Sequence, residues 1–279
     1  MNNQVVLLMG AGQIGLAIAR RIASGKKIIV GDISPQNIDA TVKTLVESGF
    51  DAEGKQVDLS SRKSLIDYLD FANTKGEIFQ FINAAGVSPS QTTVKKILEI
   101  DLYGTAVLLE EVGKRIAAGG SGVTISSQSG HRMKALTPEE DELLALTPTE
   151  ELLSLDMLKD ENIENTLHAY QMAKRCNVKR VMAEAVSWGQ RGARVNSISP
   201  GIIVTPLALD EFNGPRGAFY KNMFRKCPAK RPGTPDEVAH VAELLLGEQG
   251  AFITGSDFLM DGGATASYFY GPLRPEGKE

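Results

Sequence analysis

Gln4-Val-Val-Leu-Leu-Met-Gly-Ala-Gly-Gln-Ile-Gly-Leu-Ala-Ile-Ala-Arg-Arg-Ile22 is the stretch that decides the fold. Gln4 to Met9 is a short apolar run, as expected of a strand buried on both faces. Leu16 to Ile22 carries its apolar residues at helical spacing. Between them Gly10, Gly12 and Gly15 form G-x-G-x-x-G, set between a strand and a helix. Such glycines permit a tight turn and let the backbone approach a pyrophosphate at the helix N-terminus. The next strand, Lys27 to Val30, leads to Gly31-Asp32. An acidic side chain there can accept hydrogen bonds from the adenosine ribose hydroxyls, and it repels a 2′-phosphate. No basic residue inside the glycine turn offsets that repulsion, so NAD is expected over NADP.

Strand and helix then alternate. Pro35 to Ser48 reads as helix, Gly54 to Val57 as a strand ending at Asp58-Leu59, and Ser61 to Asn73 as helix. Ile78 to Ile82 is a strand ending in Asn83-Ala-Ala-Gly86, Leu98 to Ala118 a long helix, and Gly122 to Ile125 a strand ending in Ser126-Ser-Gln-Ser129-Gly130. Repeated βα units imply an α/β fold with a mainly parallel sheet covered on both faces. Ligands of such sheets bind at the carboxyl ends of the strands, the edge expected to hold Asp32, Asp58, Asn83, Ser127 and Pro200.

Residues 131–167 interrupt the rhythm with two near-copies of a ten-residue unit. Thr137-Pro-Glu-Glu140 and Thr147-Pro-Thr-Glu150 are both capping signatures, repeated at Thr234-Pro-Asp-Glu237. They predict short acidic helices, with Leu143, Leu144, Leu152, Leu153 and Leu155 turned inward. Both ends of the segment lie at the edge carrying Ser127 and Tyr170, so it is expected to wall a pocket and to alter assembly. Residues 205–231 are rich in Gly, Pro and aromatics, without a clear period, and read as an irregular binding loop. Phe252 to Gly263 supplies the last strand, and 264–279 reads as an exposed tail.

Tyr170 and Lys174 are four apart, so a helix sets both on one face. An ammonium fixed beside a phenol favours the phenolate, and such a Tyr can trade a proton with an alcohol or carbonyl. Ser126, Ser127 and Ser129 are rival hydroxyls near them. The 279 residues, 42% of them apolar, suit one domain, and a net charge of −4 gives no nucleic-acid footprint. Three scattered His residues show no metal-ligand spacing, and two Cys without a CxxC fit a reduced, cytoplasmic protein. No apolar run is long enough to span a bilayer.

In order, these motifs resemble the short-chain dehydrogenase/reductase family from Val5 to Gly263. The resemblance implies a doubly wound Rossmann fold with a seven-stranded sheet in a single domain, 1–279. It implies hydride transfer between NAD or NADP and a secondary alcohol or ketone, here a hydrophobic one. Tyr170 would be the acid/base. Lys174 would tune it and bind the nicotinamide ribose. Ser127, selected by the family's Ser-x-x-Gly spacing before Gly130, would bond the substrate oxygen. Gly10, Gly12, Gln13, Ile14 and Gly15 would hold the pyrophosphate, with Asp32 and Ile33 at the adenosine ribose. Asp58 and Leu59 would contact the adenine, and Asn83, Ala84, Ala85 and Gly86 would line the adenosine half. Pro200, Gly201, Ile203 and Thr205 would meet the nicotinamide. Asp101 stands where the family has the Asn of a water-linked proton relay, and the glycine turn is one residue shorter than usual. Some carbonyl reductases and hydroxysteroid dehydrogenases also carry an insertion between Ser and Tyr. The implied partners are a small alcohol or carbonyl compound and further copies of the chain, as dimer or tetramer. An NADPH-preferring reductase and a non-catalytic dinucleotide-binding regulator are the competing readings.

Overall fold

A computed structural model describes residues 3–90, 92–214 and 217–275, with only the backbone of 207, 210 and 211. Seven strands run β1 (Gln4–Met9), β2 (Lys27–Asp32), β3 (Asp51–Gln56), β4 (Glu77–Asn83), β5 (Ser121–Ile125), β6 (Arg194–Pro200) and β7 (Asp257–Met260). They form one sheet in the order β3-β2-β1-β4-β5-β6-β7, every neighbouring pair parallel. The order reverses between β1 and β4, which opens a crevice at their carboxyl ends.

Helices cover both faces. On one side α3 (Arg62–Asn73), α5 (Thr105–Gly113) and α7 (Thr166–Gln190) bring Leu65, Tyr68, Val107, Val112, Val181 and Trp188 against the sheet. On the other, α1 (Gln13–Ile22), α2 (Pro35–Glu47) and α10 (Pro235–Leu246) contribute Ile18, Ile22, Leu45, Val238 and Leu245. Val5 to Leu8 are wholly buried because alternate side chains enter the two layers.

The 131–167 segment closes a third core. Its α6 (Pro138–Leu146) begins with the expected capping box, Thr137 and Glu140 bonding each other's backbone amides. Leu144, Leu152, Leu158 and Ile163 pack on Ile97, Leu98, Leu102, Met172 and Cys176. Leu153 and Leu155 lie at its margin, but Leu143 is 46% exposed, against expectation, because it points to the outer side of α6. The second unit forms 3₁₀ turns from Thr149 to Asn162, not a second α-helix. Tertiary partners take its capping groups. Arg62 and the Tyr103 hydroxyl bind Glu150, and the Arg180 guanidinium binds the Thr147 carbonyl.

Other expectations need correction. The long helix begins earlier, as α4 (Val94–Ile97), continues as a π-helical stretch Leu98–Gly104, and ends with α5 at Gly113. Residues 205–231 are largely helical, holding α8 (Pro206–Asn213) and α9 (Gly217–Lys226). Phe212 packs edge-on against Tyr220 and Phe224 across the pair, an order supplied by tertiary contact and not by local period. Positions 215 and 216 lie outside the described residues. The expected tail folds as α11 (Ala264–Tyr270), whose first amides are held by Asp261, and 276–279 lie outside the described residues.

Candidate active site

The glycine turn sits at the β1–α1 junction. Gly10 has φ +93°, and a Cβ on it would lie 2.5 Å from the amide nitrogen of Ala85, so only glycine lets the two loops meet. Gly12 is different: a Cβ there meets nothing within 4 Å, and the N-terminus of α1 that it opens has no side-chain cap. Open space before uncapped amides at a helix N-terminus fits a pyrophosphate. Gln13 is exposed and Ile14 half-buried beside it, and Gly15 is buried.

Asp32 ends β2. Its carboxylate accepts the Ala11 N–H at 2.8 Å and the Ser34 N–H at 2.9 Å, fixing it against the glycine turn, while Ile33 stands 59% exposed. Asp58 accepts from the amide and hydroxyl of Ser60. The Leu59 side chain is buried among Leu65 and Tyr68, which leaves its backbone and not its side chain for an adenine contact. Asn83 is buried, and its side chain shapes its own loop by accepting the Ala85 N–H at 3.4 Å and facing the Thr105 hydroxyl at 3.4 Å. Ala84 donates to the Met9 carbonyl, tying Asn83–Gly86 to β1.

Pro200 closes β6, and Gly201 lies against Asp261 beyond β7. Ile203 bridges Gly233 through the backbones of Ile202 and Val204, so its own amide and carbonyl take no part in that bridge. The Thr205 hydroxyl accepts the Ala208 N–H at 3.2 Å at the start of α8.

The turn carrying Ser127 is pressed on α7. Ser126 donates from its hydroxyl to the Lys174 carbonyl at 2.8 Å, and a Cβ on Gly130 would lie 2.9 Å from the same carbonyl carbon. Ser127 is thus bracketed by two contacts to the turn that bears Tyr170 and Lys174. Ser126 is buried and engaged, whereas Ser127 and Ser129 are half-exposed, and the Ser127 hydroxyl oxygen accepts the Ser129 N–H at 3.1 Å. Lys174 reaches past Tyr170, its Nζ 5.2 Å from the ring centre.

Asp101, wholly enclosed, faces that ammonium at 3.4 Å and accepts the Val87 N–H at 2.8 Å. Its place in the π-helical stretch is a common device at functional sites. Burial disfavours charge on both groups and pushes the Asp101 carboxyl up; it opposes charge on Lys174 too, but Asp101 and Tyr170 hold the ammonium above its ordinary range.

Sequence reasoning missed three contributors. The Val87 amide leaves no trace in a side-chain pattern. The π-helical stretch has no residue signature here. His131 was one of three scattered histidines, yet its Nε2 lies 2.7 Å from Asp257, 126 residues on, tying the Ser127 turn to β7.

Comparison with known proteins gives the family. Residues 4–138 match the model described as short chain dehydrogenase, and residues 141–265 the one described as enoyl-(acyl carrier protein) reductase. Short-chain dehydrogenase/reductase bsc3 of Alternaria brassicicola is 37% identical over 95% of this chain and 97% of its own length. The chain belongs to the short-chain dehydrogenase/reductase family. D-threitol dehydrogenase of Mycolicibacterium smegmatis is 29% identical over 95% of this chain and 94% of its own. A 7α-hydroxysteroid dehydrogenase, solved with NADH and 7-oxo glycochenodeoxycholic acid, shares the fold with a TM-score of 0.73 at 22% identity, over 94% of each chain. As a family member, the protein is an NAD(P)-dependent oxidoreductase that transfers hydride between a nicotinamide cofactor and an alcohol or ketone carbon. No helix among the described residues is long and apolar enough to cross a membrane, and no cluster of potential metal ligands occurs among them.

Proposed function

We propose that this enzyme is an NAD-preferring dehydrogenase/reductase of secondary alcohols and ketones with an apolar body. One observation carries the reading: the Ser127 turn is clamped to α7 at Lys174, one helical turn from Tyr170. In the direction of reduction, the Ser127 hydroxyl donates to the substrate carbonyl oxygen, and Tyr170 delivers its proton to that oxygen. When bound, the nicotinamide supplies the hydride to the carbonyl carbon, or takes it up in oxidation. Lys174 holds positive charge beside the Tyr170 ring. Asp101 keeps that ammonium charged and in place, a different arrangement from a relay built on neutral Asn.

The preference for NAD is supported by Asp32, an anion fixed by two backbone amides where a 2′-phosphate would approach. An apolar substrate is supported by half-buried Val87, Met133, Leu136 and Tyr170, each packed on the core that the 131–167 segment closes. The 131–167 segment contributes to this apolar wall, and α9 carries Met223 and Phe224 beside Gly201 to Ile203. Cytoplasmic location is supported by two free, buried cysteines. Self-association is supported by exposed Met182 and Val186 on α7 and Leu259 on β7.

The test is Tyr170→Phe. Turnover of a panel of cyclic and acyclic ketones should fall by about 10²–10⁴ while cofactor affinity stays within a few fold. A Phe variant that keeps more than roughly a tenth of the rate overturns the acid/base role. Fluorescence titration with NADH and NADPH tests the cofactor preference, which equal or tighter NADPH binding would refute.

A further inference from the structure

Arg132 follows the Ser127 turn directly, and its carbonyl accepts from Gln171 Nε2 at 3.0 Å, beside Tyr170. Its guanidinium is largely enclosed under two late elements of the chain. Nη1 donates to the Met223 sulfur of α9 at 3.7 Å, and the group lies 5.9 Å from the centre of the Tyr268 ring of α11. Nε, fully buried, meets no acceptor among the described residues. Asp261 is the carboxylate whose field reaches it, but both Asp261 oxygens already accept backbone amides, from Gly263 and Thr265.

Nε of Arg21 and of Arg180 is also buried without an acceptor, but each of those guanidinium groups donates to an oxygen through a terminal nitrogen. Arg62 binds Glu110, Glu111 and Glu150, Arg175 binds Asp141, and Arg194 donates to the carbonyls of Leu245, Ile253 and Gly247. Arg132 has a thioether and an aromatic ring instead. Leaving a buried donor without an acceptor costs about 1–3 kcal/mol, and more for a charged group. The burial also pushes its pKa down, opposed by the field of Asp261. Met223 lines a cavity of about 140 Å³ together with Gly201, Ile202 and Gln128, and the Gln128 side-chain oxygen is likewise buried without a donor. Gln128 and Arg132, on either side of residues 129–131, thus each carry a buried polar atom without a partner among the described residues.

We propose that Arg132 is the anchor for a carboxylate carried by the substrate, which makes the substrate class oxo acids and hydroxy acids with an apolar body. The inference rests on the reading of Ser127 and Tyr170 as the reacting end. The guanidinium fork matches a carboxylate geometrically, and its enclosure excludes the water that would compete. The substrate then spans from its reacting oxygen at Ser127 and Tyr170 to its carboxylate at Arg132, with Val87, Met133 and Leu136 along the apolar body.

Calorimetry on the cofactor-loaded enzyme tests this with cyclohexanecarboxylate and its neutral analogue cyclohexanecarboxamide. The wild type should bind the carboxylate at least about tenfold tighter, as expected of a charge-assisted bond. Arg132→Met should abolish the difference, and Arg132→Lys, which keeps the charge but not the fork, should retain part of it. Equal binding of both compounds by the wild type, or a preference that survives Arg132→Met, overturns the proposal. Reduction of 4-oxocyclohexanecarboxylate and its amide separates the two readings. If the carboxylate binds through Arg132 but neither compound is reduced, the assignment of the reacting end fails and the anchor stands. If both are reduced with equal KM, the reaction stands and the anchor fails.

Discussion

Leu144→Ala asks whether the 131–167 segment is part of the core or a covering on it. Leu144 is wholly enclosed among Leu152, Met172 and Cys176, whereas its neighbour Leu143 is 46% exposed. Truncating a buried Leu loses its transfer free energy and leaves a cavity whose cost depends on how far the site can collapse. Collapse is restricted here. Asp141 is held by Arg175 and Lys179 of α7, Cys176 donates to the Leu144 carbonyl, and the Thr137–Glu140 box fixes the start of α6. The expected loss is about 3 kcal/mol, within the range of about 2–5 for such changes. Leu143→Ala should stay within about 0.5 kcal/mol. At about 2–3 °C per kcal/mol for a chain of this size, Leu144→Ala should melt roughly 6–9 °C lower. Equilibrium urea denaturation can be followed through the single tryptophan, Trp188, which is buried against the sheet. A loss below about 1 kcal/mol, or equal losses for the two variants, would refute the reasoning and return the segment to a surface covering.

Ser127→Ala should lower kcat strongly while Ser129→Ala leaves it within a few fold; steady-state kinetics giving the reverse ranking would move the role to Ser129. Asp32→Ala removes the acceptor of the Ala11 and Ser34 amides as well as the charge, so NADH affinity should fall and the gap to NADPH narrow, as read by fluorescence titration. Burial works against ionised Glu110, but bonds from Arg62 and Lys114 outweigh it and draw its pKa down to about 2. A folded pKa below the unfolded one gives stability that is present above about 4.3 and is lost as pH falls through the folded value. Urea midpoints measured from pH 7 downward should show that loss, and Arg62→Ala should reduce it; an unchanged acid profile would contradict the assignment.

The βα alternation and the binding edge were legible because both rest on local signals. An apolar run followed by a glycine turn and a helical period needs no distant partner to be read. The ordered motifs from Gly10 to Asp261 carried the resemblance to the family, and that resemblance implied the seven strands that the sheet contains. Capping at Thr137 and Thr234 was equally local, and both boxes formed. At Thr147 the same signature gave 3₁₀ turns, because Arg62, Tyr103 and Arg180 from other elements took its polar groups. Residues 205–231 lacked a period, yet Phe212, Tyr220 and Phe224 order them across two helices. Which carboxylate meets Lys174 and which buried arginine nitrogens lack an acceptor were decided only by tertiary packing. Each depends on groups tens of residues apart along the chain, and on burial, which sets the energy of a charge or an unmatched donor and cannot be read from residue type alone.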